Sequence, residues 1–133
     1  MPSYLDFTKL DRPGTPNDYL VAPEEITPAR PDRIAPIYNQ TPASLFASIS
    51  AMLEADKFYR EVEADAQLLA IKAVAVTPIL RFRDDVNIRV FPADGGASLA
   101  IYSRSRIGMG DMGANRKRVE GLLDRLEAVS DDT

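Results

Sequence analysis

At 133 residues, with a net charge of −4 and neither histidine nor cysteine, the chain is sized for one domain with a two-layer core. The two missing residue types exclude Ser–His and Cys–His catalysis, zinc thiolate sites and disulfides, so only carboxylates, Lys, Tyr or an oxygen-held ion such as Ca²⁺ or Mg²⁺ could supply chemistry. The acidic balance argues against general affinity for nucleic acid or anionic membranes, and no run of about 18 apolar residues is present to span a bilayer.

Residues 1–32 form a separate compositional zone. Pro2, Pro13, Pro16, Pro23, Pro28 and Pro31 are too closely spaced for a helix or a central strand, which predicts an extended Pro-rich N-terminal arm. Tyr4, Phe7, Tyr19 and Leu20 are more apolar surface than a solvated tail carries, so its Pro16–Val21 part is expected to dock on the domain formed by residues 33–133. Arg33–Asn39, interrupted by Pro36, reads as a short edge strand.

Thr41-Pro42 is a helix start, an N-cap followed by a residue whose φ is already helical. Leu45, Ile49, Met52 and Leu53 repeat at helical spacing, with Phe46 widening the stripe, and the helix is expected to run to about Ala55. Four strands follow: Phe58–Ala64, Leu68–Val76, Arg81–Phe91 and Ala97–Ile107. In the third, Phe82, Val86, Ile88 and Val90 share one face, and Arg81, Arg83, Asp85, Asn87 and Arg89 the other. In the fourth, Leu99, Ile101, Ser103 and Ser105 oppose Tyr102, Arg104 and Arg106. Pro92–Gly96 supplies the turn between them.

A second helix begins in the interval Asp111–Asn115 and buries Val119, Leu122, Leu123 and Leu126. Asp111 and Asn115 are both good caps. A Gly inside a helix costs roughly 1 kcal/mol, which favours Asn115 with Gly113 in the loop; a close approach of Gly113 to the sheet favours Asp111, the start adopted here. The expected fold class is α+β: an antiparallel sheet of about four to five strands, two helices on one face, in the order β-α-β-β-β-β-α after the arm. The opposite face, including Tyr102, is expected to meet water.

RFRDDV (Arg81–Val86), followed by YSRSRIGMGDMGANRKRVE (Tyr102–Glu120) and preceded by PNDYL (Pro16–Leu20), resembles the signature of the domain of unknown function 1499 family, over about Pro13 to Leu126. Met109 stands where that family often has an aromatic residue. The resemblance implies a small domain of bacteria and plastids, often behind a membrane anchor or export signal, with a periplasmic or membrane-associated location and no established activity.

Three sites are candidates on residue chemistry. Arg104, Arg106, Asp111, Asn115 and Arg116, with Arg118 further along the helix, could form an anion site where the last strand meets the second helix, since guanidinium groups and a helix N-terminus both favour oxyanions. The competing reading is a solvated face on which these arginines pair with Asp84 and Asp85. Asp84, Asp85 and Asp111 could hold a cation, but no EF-hand spacing exists and the arginines oppose it. Phe46, Met52, Phe82 and Ile101 could line an apolar pocket, although such residues usually form plain core. No cofactor or metal is expected and no nucleic acid partner. Membrane contact is expected only through an anchor preceding Met1, leaving a small anion or an envelope protein as partner. Two functions remain: a non-catalytic binding or scaffold module of the cell envelope, or an enzyme with Asp84 or Asp85 as base and Arg104/Arg106 as clamp.

Overall fold

Strand alternation and turn chemistry build the sheet outward from one hairpin. In the computed structural model, which describes residues 4–12, 14, 17–107 and 113–131, β5 (Arg83–Ala93) and β6 (Gly96–Ser105) pair antiparallel around Asp94-Gly95. Gly95 takes φ +89°, which glycine adopts without a side-chain clash. Gly96 is required for a different reason. A Cβ there would lie 1.9 Å from the Tyr38 carbonyl oxygen, where Tyr38 and Ala97 exchange backbone hydrogen bonds of 2.7 and 3.0 Å.

β4 (Ala70–Val76) and β3 (Tyr59–Asp65) extend the sheet on one side, both antiparallel. Leu68, expected in β4, lies in the preceding turn and is exposed. β3 loses its regular alternation at Glu61, whose φ is +51°, where the register shifts between Arg60 and Glu63. This bulge lets both Tyr59 and Val62 pack on the core.

The other side departs from the sequence reading. Residues 18–22 of the expected arm are a strand, β1 (Asp18–Ala22), paired antiparallel with β6 from Asp18↔Arg104 to Val21↔Ile101. β2 (Arg33–Ile34) adds a short parallel edge. The sheet therefore has six strands in the order β2-β1-β6-β5-β4-β3 and is mixed, where about four to five antiparallel strands were expected. Four cross-strand neighbours, Ile71, Ile88, Ile101 and Val21, form one apolar row across it.

α1 (Pro42–Ala55) starts as expected, with the Thr41 hydroxyl accepting from the Ser44 amide at 3.1 Å. It buries Leu45, Ile49 and Leu53. α2 (Ala114–Asp131) buries Val119, Leu122, Leu123 and Leu126. Both stripes join one cluster with Val86, Ile88, Val90, Leu99 and Ile101, so both helices cover the same face. Phe82, predicted on that face, lies beyond the end of β5 and is half exposed. Among the described residues no helix is long and apolar enough to cross a membrane.

The opposite face is not left to water. Phe7 and Leu10, around a short 3-10 turn, cover Leu20, Ala22, Ala100 and Tyr102 in a second apolar cluster. Tyr102, expected in solvent, is buried there. Arg12 fastens this cover, donating to Asp18 at 2.7 Å, to Asp32 at 2.8 Å and to the Arg30 carbonyl at 2.9 Å. Tyr102 donates to the same Asp18 carboxylate at 2.6 Å.

Burial alone would raise the Asp18 pKa, but the Arg12 and Tyr102 hydrogen bonds outweigh it and hold the pKa below the ordinary value. A carboxylate depressed in the folded state contributes stability above its unfolded pKa of about 3.9 and loses it as pH falls through the folded value. Arg12→Met should accordingly cost about 1–3 kcal/mol at pH 7. The difference between variant and wild type should shrink as the pH drops below about 4. Urea unfolding at neutral and acid pH measures both; a pH-independent difference would mean that Arg12 acts by packing alone.

Candidate functional site

The row of side chains beneath α2 turns polar toward one end of the sheet. Along the helix face, Ile101 gives way to Ser103 and Ser105 on β6, and Val86 gives way to Asp84 on β5. α2 begins above this end at Ala114, not at Asp111. Gly113, at φ +78°, is outside helical geometry, and its carbonyl accepts the first helical hydrogen bond from the Lys117 amide at 2.9 Å. Asn115 is therefore inside the first turn and not a cap, and it is fully buried.

Its side chain is the centre of a polar network. The carboxamide oxygen accepts from the Ser103 hydroxyl at 2.6 Å and from Arg118 at 2.9 Å. The carboxamide nitrogen donates to the Asn17 carbonyl and the Ser105 hydroxyl, both at 2.9 Å. Arg118 also donates to Ser103 at 3.1 Å and reaches Asp84 at 2.8 Å. Asp84 is 1% exposed, and among the described residues neither carboxylate oxygen receives an aligned hydrogen bond. The Arg118 charge is what compensates its burial.

The residues nominated from sequence are distributed around this network. Arg106 lies on the exposed side in a two-point pair with Asp85, with contacts of 2.8 to 3.2 Å. Arg104 is exposed on the face away from the helices, opposite Asp18 and Asp85 in the ladder. Arg116 is exposed on α2 and acts electrostatically on Tyr19 and Glu120. Asn115 is buried under the helix. Asp111 lies outside the described residues, as do Gly108, Met109 and Gly110. Arg118 was named with the anion site, but its buried partners and the inward turn of Asp84 were missed. The signal was present: Asp84 has the parity of Val86 and Ile88, and Arg118 lies three residues from Asn115 and four from Leu122, on the buried side.

Among the described residues no group of three or more carboxylates could hold a metal ion. Ile101 is core, Phe46 and Met52 pack against that core, and Phe82 is on the surface, so these four share no apolar pocket.

Two concave features open at the same end. A groove of about 590 Å³ runs between α2 and the β3–β4 edge, with Asp56, Phe58, Tyr59, Val76 and Pro78 on one side and Lys117, Arg118 and Arg125 on the other. Arg125 is 3.6 Å from Asp56 and Arg118 is held by Asp84, whereas the Lys117 ammonium enters no ion pair among the described residues. Burial pushes the Tyr59 hydroxyl up to about 12, so it remains a neutral donor at working pH. Beside the groove, a cleft of about 270 Å³ is lined by Lys57, Arg60 and Arg81 around Phe58 and Ile79. These surfaces can hold negative charge against apolar surface; they align no nucleophile with a base.

A model of the family described as "Protein of unknown function (DUF1499)" matches residues 10–126. No curated protein matches the chain.

Proposed function

Because the chain belongs to the DUF1499 family, whose function is unknown, we propose its role from the site: a non-catalytic binding module for an anionic group carried on an apolar body. The observation that carries this reading is the groove beside α2, where Lys117, in no ion pair among the described residues, stands at the rim of a wall made by Phe58, Tyr59, Val76 and Pro78. An anionic headgroup gains a charge-assisted contact there, and its chain covers apolar surface that would otherwise face water. Arg118 gives the rim a fixed position, because Asn115, Ser103 and Asp84 hold its guanidinium from beneath. A ligand of this kind is met at membranes, in keeping with the envelope location that the family resemblance implies.

Dodecyl phosphate, kept below its micelle concentration, is a suitable probe. Calorimetry should show wild type binding it, and Lys117→Glu should weaken binding by about tenfold, the loss of one charge-assisted contact. Lys117 is exposed, so the melting temperature should move little. Equal binding by both proteins, or none by either, would remove the groove as the site.

A further inference from the structure

The turn joining β4 to β5 projects apolar side chains into solvent on a strained backbone. Ile79 takes φ +64° and Arg81 φ +57°, a region costly for any side chain and an outlier for a β-branched one. The turn is nonetheless firmly closed. The Thr77 amide donates to the Phe82 carbonyl at 2.9 Å, the Phe82 amide to the Thr77 hydroxyl at 2.8 Å, and the Arg81 amide to the Thr77 carbonyl at 3.1 Å. Ile79 is left 95% exposed and Leu80 69%, with Phe82 and Phe58 about half exposed beside them. Neither Ile79 nor Leu80 packs in a core cluster. Folding therefore gives no reason for an isoleucine where glycine or asparagine would sit without strain.

The cleft at the foot of this turn carries charge of one sign, although Asp56 lines the neighbouring groove. Lys57, Arg60 and Arg81 line the cleft at the foot of this turn together with Phe58 and Ile79, and no carboxylate lines it. None of the three enters an ion pair among the described residues. Lys57 lies over the Phe58 ring at 5.3 Å from its centroid. The overall charge of −4 conceals this end of the molecule.

The geometry points to an anionic lipid bilayer as the occupant: Ile79 and Leu80 enter the headgroup–acyl boundary while Lys57, Arg60 and Arg81 meet lipid phosphates. A projecting apolar tip with a cationic collar matches a surface that is apolar inside and negative outside. A second copy of the chain fits poorly, since a two-fold contact would set the two collars against each other. A folded protein partner would need a preformed pocket for the tip; a bilayer does not.

The test is co-sedimentation of the full chain with phosphatidylcholine vesicles, with and without phosphatidylglycerol. Wild type should pellet with the anionic vesicles only, and less as salt is raised. Arg81→Glu and Leu80→Ser should each lower the bound fraction, the first by at least roughly fivefold. Ile79→Gly is the decisive variant: vesicle binding should fall while the melting temperature holds or rises, because the backbone strain is relieved. Leu68→Ser, an exposed apolar residue in the turn between β3 and β4, should bind as wild type does. Wild type remaining in the supernatant, pelleting without vesicles, binding neutral vesicles equally, or losing as much through Leu68→Ser as through Ile79→Gly would each overturn the proposal. It stands apart from the groove reading: vesicle binding without dodecyl phosphate binding keeps this surface and removes that site, and the reverse outcome removes this surface.

Discussion

Deleting residues 1–32 should yield a chain with no cooperative unfolding transition. The deletion removes β1, an inner strand whose Leu20, Val21 and Ala22 are fully buried, and strips one edge of β6 of its partner. It also removes Phe7 and Leu10 from over Tyr102, the Arg12 clamp, and the Asn17 carbonyl that receives Asn115 and the Ser105 amide. Burial of each large apolar side chain contributes about 1.5–3 kcal/mol. Losing several of them reaches the 5–15 kcal/mol, roughly, by which a domain of this kind is stable at all. Circular dichroism melting and amide dispersion by NMR report the result. A sharp transition within a few degrees of the full chain's would show that residues 33–133 fold without β1.

Arg118→Met should destabilise by about 3–5 kcal/mol, as expected when one member of a buried ion pair is removed and the other charge stays enclosed. Asp84 is the charge left behind, and among the described residues it has no aligned hydrogen-bond donor to fall back on. Ser103 and Asn115 would each lose a partner as well. Adding Asp84→Asn to that variant should restore part of the loss, because no buried charge then remains unpaired. Chemical denaturation of the two single variants and the double variant gives the coupling directly. A loss below about 1 kcal/mol for Arg118→Met would show that water reaches Asp84 and stands in for the guanidinium. In that case the rim of the groove would have no fixed floor.

How much of this was legible depends on how local each signal is. Thr41-Pro42 and the Leu45–Leu53 spacing lie within one helix, and α1 followed from them. The same holds for Val119, Leu122, Leu123 and Leu126 in α2, and for the inward alternation of Val86, Ile88 and Val90. β1 was hidden because it has only five residues, sits between prolines at 16 and 23, and pairs with a strand distant in sequence. Parity misplaced Phe82 because alternation holds only while the ladder does, and the ladder begins at Arg83. The start of α2 turned on the φ of Gly113, which spacing does not encode. For the candidate site, Asn115 was singled out for its chemistry but taken as a surface ligand, whereas it is an internal strut. The cationic cleft escaped notice because Lys57, Arg60 and Arg81 come from three segments, and a net charge averages them against acids elsewhere.

The position of β1 also dictates an order of events during synthesis. Val21 pairs with Ile101, so β1 is completed by the strand made latest among those described. Ile101 is 80 positions after Val21, and at the usual rate of roughly 5–20 residues per second that stretch takes about 4–16 s to appear. Throughout that interval Leu20, Val21 and Ala22 have no sheet to join, and the β3–β5 meander must wait for β6 before it can capture them. The prolines at 16 and 23 suit this delay, since they keep a short apolar strand from adding neighbours of its own while it stands open to other nascent chains.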